Sequence, residues 1–246
     1  MIDLSILPSR LPPIHTEQGP VTIQRIAPKH VEALCEASQQ SIHHVKPWLG
    51  ATLCPVTPAL AKQCIQSMEA ARESGYGLTY LLMHDERCLG MGIINYIHHT
   101  HLTANLGYWL RSDSCGKGLA TAICEALKKL AFTQMNLHRL ECLIEPNNKA
   151  SLRVAERIGA EKEGLCRKRI LGEMRCFTVL PLNLNLPTAK WQYNLRRHLN
   201  SHRFQTPFCF AQTCHFCASR AFCPYSTVDA KTANLALHAD GDKRNL

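Results

Sequence analysis

The chain has 246 residues, 46% of them apolar, and a formal net charge of +9 at pH 7. That length and apolar share support one domain of ordinary size plus an extension, and no apolar run approaches the ~18 residues of a membrane-spanning helix. The N-terminal MIDLSILPSRLPP lacks the basic start and long apolar stretch of a secretion signal, so a cytoplasmic protein with no membrane partner is expected.

In chain order, residues 1–19 read as an N-terminal extension, and VTIQRI at 21–26 alternates as a strand. A helix follows over 28 to about 40, and a second over 58–73, which stops near Ser74 and Gly75. Residues 78–83 and 88–97 read as strands joined by a turn at 84–87, and ANLGYWL at 104–110 as another, giving an antiparallel meander. After a glycine turn, Ala120, Ile123, Cys124, Leu127 and Ala131 recur at helical spacing. HRLECLIE at 138–145 alternates as a strand, with Leu140, Cys142 and Ile144 on one face and Glu141 on the other. Asn148 caps a short helix that Gly159 ends, and 162–171 with 174–182 form a final hairpin. The sum is a mixed α/β (α+β) domain over 20–185.

The stretch SDSCGKGLATAICEAL, 112–127, sets two glycines around a lysine where a strand gives way to a helix. Glycines free successive N–H groups to turn toward one point, and the helix start adds its positive end, an arrangement suited to a phosphate. A nucleotide P-loop is disfavoured, because Lys117 is followed by Gly118 and no glycine stands five residues before Gly116. A dinucleotide fingerprint is disfavoured too, because Thr121 occupies the place of the third glycine. A plain surface turn is the remaining alternative.

The context resembles the Gcn5-related N-acetyltransferase (GNAT) superfamily over most of 21–182. CGKGLA resembles its pyrophosphate loop, [QR]xxGxG or [QR]xxGxA, with Cys115 in the Gln or Arg place. SIHHVKPWL, LGYWL, PNNKASLRVAERIGA and EKEGLCRK resemble the ribosomal-protein alanine N-acetyltransferase branch. The resemblance implies the GNAT fold, a mixed and mostly antiparallel sheet of about six to seven strands flanked by helices. It also implies acetyl-coenzyme A as cosubstrate, with the pyrophosphate at Cys115, Gly116, Lys117, Gly118, Leu119 and Ala120. The pantetheine arm would pair with the main chain of Trp109 and Leu110, and Asn148 and Ser151 would complete the cofactor-binding set. Transfer to a primary amine follows, on a protein N-terminus or, alternatively, a polyamine or aminoglycoside. An inactive module docking on ribosome or RNA is the reading from another class. The oligomeric expectation is a monomer or homodimer.

The reaction is attack of an uncharged amine on a thioester. An α-amino group has a pKa of about 8 against about 10.4 for lysine, so an N-terminal acceptor makes a dedicated base optional. The resemblance carries the NxAS serine onto Ser151 as the acid for the departing thiolate; its other reading is a polar residue supporting the Asn148 cap. Glu141 is either a base, direct or through water, or a solvated strand carboxylate. Lys46 and Trp48 resemble the substrate-side segment between the first two helices, where Trp48 walls the acceptor channel or simply packs. His43 and His44 lack a third partner at useful spacing, and no metal is assigned to the domain.

Nine of the 13 cysteines are scattered singly and read as reduced, buried hydrophobes. The other four, Cys209, Cys214, Cys217 and Cys223, lie in an extension over 186–246 whose eight Lys or Arg face three Asp. Their Cx4Cx2Cx5C spacing is not a paired CxxC pattern, so a basic, poorly ordered tail is expected ahead of a zinc or iron–sulfur module. The tail is expected to be separable from the chemistry.

Overall fold

The computed structural model describes residues 2–179 apart from Gln18, Ala51 and Leu171, with the side chains of 167–175 and Phe177 left aside. The cysteine-rich extension lies outside the described residues. Among the described residues, eight strands form one sheet in the order β1-β2-β3-β4-β5-β6-β8-β7. The strands are β1 (Arg10–Thr16), β2 (Gly19–Arg25), β3 (Leu78–His84), β4 (Arg87–His98), β5 (Thr103–Leu110), β6 (Arg139–Ile144), β7 (Glu161–Ile170) and β8 (Gly172–Val179). Every neighbouring pair is antiparallel except β5 and β6, which run parallel. The helices are α1 (Val31–Leu49), α2 (Pro58–Glu73), α3 (Leu119–Thr133) and α4 (Lys149–Arg157).

Side-chain alternation sorts the sheet into two packed faces. Tyr80, Leu82, Ile94, Leu106 and Leu140 join Ile123 and Leu127 of α3 and Leu152 and Ala155 of α4 in one core. Leu81, Met83, Met91 and Trp109 join Leu34 and Val45 of α1 and Ile65 and Met68 of α2 in the other. β3 is therefore buried nearly throughout, which explains a run that is apolar on both faces apart from the buried Thr79. A Cβ at Gly92 would sit 2.6 Å from Ile123 and 2.7 Å from Leu127, so the glycine lets α3 lie directly on β4.

Two boundaries differ from the sequence reading. The first residues hold a strand: β1 pairs with β2 and shifts register between Leu11 and Ile14, across two prolines. Proline cannot donate to a ladder and belongs on an edge, so Pro12 and Pro13 mask the strand in sequence while suiting its position. Leu11 of this strand and Leu4 and Leu7 ahead of it are buried in the first core. The first helix also runs on to Leu49, with Pro47 inside it, and stops where Gly50 takes φ +71°. A proline this near the end removes a single helical bond. Lys46 and Trp48 accordingly sit in the last turns of α1 rather than in a connection between helices.

Candidate active site

β5 and β6 pair in register only at Thr103, Ala104 and Asn105 with Arg139, Leu140 and Glu141, and then part. The Arg111 N–H donates to Leu89 O on β4, while Leu102 O accepts from His138 N on the β6 side. Ladder alternation thus turns the main-chain groups of Leu106, Tyr108 and Leu110 toward the gap, and those of Gly107 and Trp109 toward β4. Leu110 turns its main chain to the gap, whereas the peptide groups of Trp109 serve the β4 ladder; Trp109 lines the cavity as well, is 4% exposed and packs toward α1 and α2. Tyr108 takes its place on the open edge.

The gap widens into a cavity of about 490 Å³. Tyr108, Cys124 and Ser151 line it from one face of the sheet, and His44, Trp48 and Leu49 from the end of α1. Its ionic lining is positive on balance, with Lys149, Arg153 and Arg157 against Glu145.

The glycine turn forms one rim. Gly116 and Gly118 have φ +78° and +77°, a region that only glycine enters without strain. No atom lies within 4 Å of a Cβ built at either, so backbone shape rather than crowding calls for glycine. Ala122 N–H makes the first helical bond of α3, to Gly118 O. The N–H groups of Leu119, Ala120 and Thr121 therefore precede any helical acceptor and carry the positive end of the dipole. Gly116, Gly118 and Ala120 line the cavity; Lys117 is exposed outside the lining, and the Leu119 side chain is core. Cys115 lines it too, with Sγ 3.5 Å from His44 Nε2, and burial pushes its thiol up.

α4 supplies the second wall. The Ser151 N–H donates to Asn148 Oδ1 at 3.1 Å, so the cap uses the peptide group of Ser151 and leaves its hydroxyl free. Tyr108 Oη donates to Ser151 Oγ at 3.2 Å. Burial drives the Tyr108 phenol far above its ordinary range, so it keeps its proton and remains a donor. Sequence reasoning missed Tyr108: LGYWL marks a strand, but nothing local shows that its tyrosine meets a serine 43 residues away.

Glu141 is not among the residues lining this cavity, so the structure does not gather it with Ser151 around one space. It accepts from Arg139 Nε at 3.1 Å, and Arg139 also holds Glu163 through both terminal nitrogens at 2.6 and 2.5 Å. Lys46 is exposed and outside the lining, whereas Trp48 and Asn148 are in it. Among the described residues no group of three or more His, Cys, Asp or Glu could hold a metal, and no helix is long and apolar enough to cross a membrane.

Behind the glycine turn lies a buried cation. The Arg111 side chain is 2% exposed and reaches Glu36 and Gln40 on α1 and Asp113 in the 3-10 turn Ser112–Ser114, itself bound by Arg87. The Ser112 N–H donates to Ser41 Oγ at 3.1 Å, a second tie between α1 and the turn. The Arg111 hydrogen bond holds the Glu36 carboxyl below its ordinary 4.5. Burial pushes Asp113 and Glu163 up, but the bonds and charges of their partners outweigh it and both are also lowered. Carboxyls lowered in the folded state stabilise it fully above the unfolded value and lose that contribution as pH falls through the folded value. Thermal melts are therefore expected to show a falling melting temperature below about pH 4.5, with a smaller drop in Glu36→Gln. Equal acid sensitivity in the two proteins contradicts this account.

Parted parallel strands, inward-facing main-chain groups and a glycine-shaped helix start make one cleft whose shape and N–H donors suit an extended, anion-bearing ligand. Residues 21–161 match the acetyltransferase (GNAT) domain, and the chain belongs to that family. It is an acetyl-coenzyme A-dependent N-acetyltransferase. It is 28% identical over 148 residues to a Bacillus subtilis protein named "Putative ribosomal N-acetyltransferase YdaF", spanning 60% of this chain and 81% of that one. The fold also matches Mycobacterium smegmatis RimJ, solved in complex with CoA-disulfide, at TM-score 0.66 and 22% identity over 77% of this chain and 96% of that one. RimL, a ribosomal L7/L12 α-N-protein acetyltransferase solved with coenzyme A, matches at TM-score 0.64 and 19% identity, over 70% and 97%.

Proposed function

We propose that the chain acetylates the N-terminal α-amino group of a protein, with a ribosomal protein as the leading acceptor. The positive lining of the cleft carries this reading: Lys149, Arg153 and Arg157 suit a polyanionic cosubstrate and repel a polycationic amine such as a polyamine. The chain's similarity to YdaF, RimJ and RimL supports the ribosomal acceptor. An α-amino group, with its pKa of about 8, also asks least of a site whose Glu141 is engaged by Arg139.

The residues fit acetyl-coenzyme A. N–H groups from Gly116 to Thr121 receive the pyrophosphate, and the open edge of Tyr108 and Leu110 receives the amide-bearing arm. The cosubstrate supplies the acetyl group as a thioester. Ser151 Oγ–H gives a proton to the departing sulfur, and Tyr108, donating to that oxygen, keeps the serine hydrogen directed away from itself. The amine loses its proton to water, and water returns a proton to the Ser151 oxygen, so one proton leaves the amine and one reaches the thiolate in each turnover.

Acetyl-coenzyme A turnover is to be measured with a peptide bearing a free α-amine, the same peptide blocked there but carrying lysine, and spermidine. The free N-terminus is expected to be the best acceptor; preference for spermidine or lysine sinks the reading. In the same assay Gly118→Val is expected to raise the KM for acetyl-coenzyme A about tenfold. A β-branched residue at φ +77° costs about 1–2 kcal/mol and deforms the rim. An unchanged KM in a folded variant removes the pyrophosphate from this turn.

A further inference from the structure

A second cavity, of about 320 Å³, shares no lining residue with the first. It lies where the start of β1, the end of β2, the 3-10 turn Pro28–His30 and the end of α2 come together. Arg10, Arg25, Lys29 and Arg72 face it with a single carboxylate, Glu69.

These cations are poorly compensated. The Arg72 side chain is 21% exposed, and its ion-pair partner is Glu73 at 3.7 Å, on an outward side chain 70% exposed. A guanidinium carries five N–H donors, and holding one mostly out of water without close acceptors is unfavourable. Arg25 gives Nη1 to the Leu7 carbonyl at 3.1 Å, and Lys29 Nζ reaches the neutral Gln24 Oε1 at 3.3 Å. Neither contact cancels charge. Four cations around one carboxylate repel one another, and an anion seated among them converts that repulsion into binding energy.

We propose that this cavity is a phosphate-binding site separate from the cofactor cleft. A phosphate monoester carries a charge of about −1.5 to −2 at pH 7, which meets the local excess better than a carboxylate does. Planar guanidinium forks bind phosphate oxygens two at a time, and three of the four cations are arginines. Ser9 and Gln24 in the lining add neutral donors for the remaining oxygens. Two sources share this chemistry, the backbone of single-stranded RNA and a free sugar phosphate.

The test uses the full chain saturated with coenzyme A, so that the cofactor cleft is filled. Ribose 5-phosphate, hexauridylate and hexaglutamate are titrated by calorimetry at low salt. At least one phosphate probe is expected to bind, and Arg72→Gln and Lys29→Gln are each expected to weaken it about tenfold while leaving the KM for acetyl-coenzyme A unchanged. Binding of ribose 5-phosphate assigns the site to a small phosphate ester. Binding of hexauridylate alone, falling log-linearly with salt, assigns it to RNA. The proposal is overturned if no phosphate probe binds at millimolar concentration, if hexaglutamate binds as tightly, or if affinity survives both substitutions, which places the anion on another part of the chain. Lys29 is exposed, so its variant keeps the test intact should Arg72→Gln unfold.

Discussion

Glu36→Ala is expected to destabilise the protein by about 2–4 kcal/mol, and by more than Arg111→Met does, although Arg111 is the buried member of the pair. Removing Glu36 leaves a guanidinium that is 2% exposed with Gln40 and the more distant Asp113 as partners. Removing Arg111 instead leaves Glu36 and Asp113, each about half exposed, and water can solvate both. The asymmetry follows from which charge is trapped. A full buried-pair penalty of about 3–5 kcal/mol is reduced here because Asp113 stays in reach. Denaturant melts of the two variants check the order. Both are also expected to weaken coenzyme A binding, because Arg111 and Ser112 tie α1 to the glycine rim. Equal destabilisation, or a larger loss in Arg111→Met, contradicts this account.

How far the sequence foretold this arrangement depends on whether a feature is local. α2 is legible to the residue, since Thr57 caps it, Pro58 opens it and Ser74 closes it within one short window. The Asn148 cap and the positive-φ glycines are equally local. β1 was hidden because Pro12 and Pro13 erase strand propensity, and only its place at the edge of the sheet makes them acceptable. The parting of β5 and β6 reads as two ordinary strands; which edge each peptide faces depends on the register with β4, which no pattern in LGYWL encodes. That the Trp109 and Leu110 peptide groups face opposite edges is hidden in sequence on that ground. The Arg111 network escaped for a related reason, since a lone arginine after a strand gives no sign that α1 carries its partners 71 and 75 residues earlier. Chemistry held in short motifs was readable, and chemistry made by distant pairs was not.

The Tyr108–Ser151 pair allows the sharpest test of the proposed mechanism. Ser151→Ala is expected to lower kcat about 10- to 100-fold with little change in the KM for acetyl-coenzyme A, because the hydroxyl acts on the departing sulfur and water replaces it only in part. Tyr108→Phe removes one neutral hydrogen bond and is expected to lower kcat about 3- to 10-fold. The decisive measurement is the second substitution made in the background of the first. If Tyr108 acts by orienting the Ser151 hydroxyl, Tyr108→Phe costs nothing further once that hydroxyl is gone, and the cycle shows a coupling equal to the whole Tyr108 effect. If Tyr108 only packs against α3 and α4, its loss is the same in both backgrounds. Burial keeps the phenol protonated well above its ordinary range, so this donation adds no falling limb to the kcat profile between pH 7 and about 10. A limb that appears in the wild type and vanishes in Tyr108→Phe reassigns the tyrosine from orienting group to titrating acid. An unchanged kcat in Ser151→Ala removes the serine from the proton path, whatever Tyr108 does.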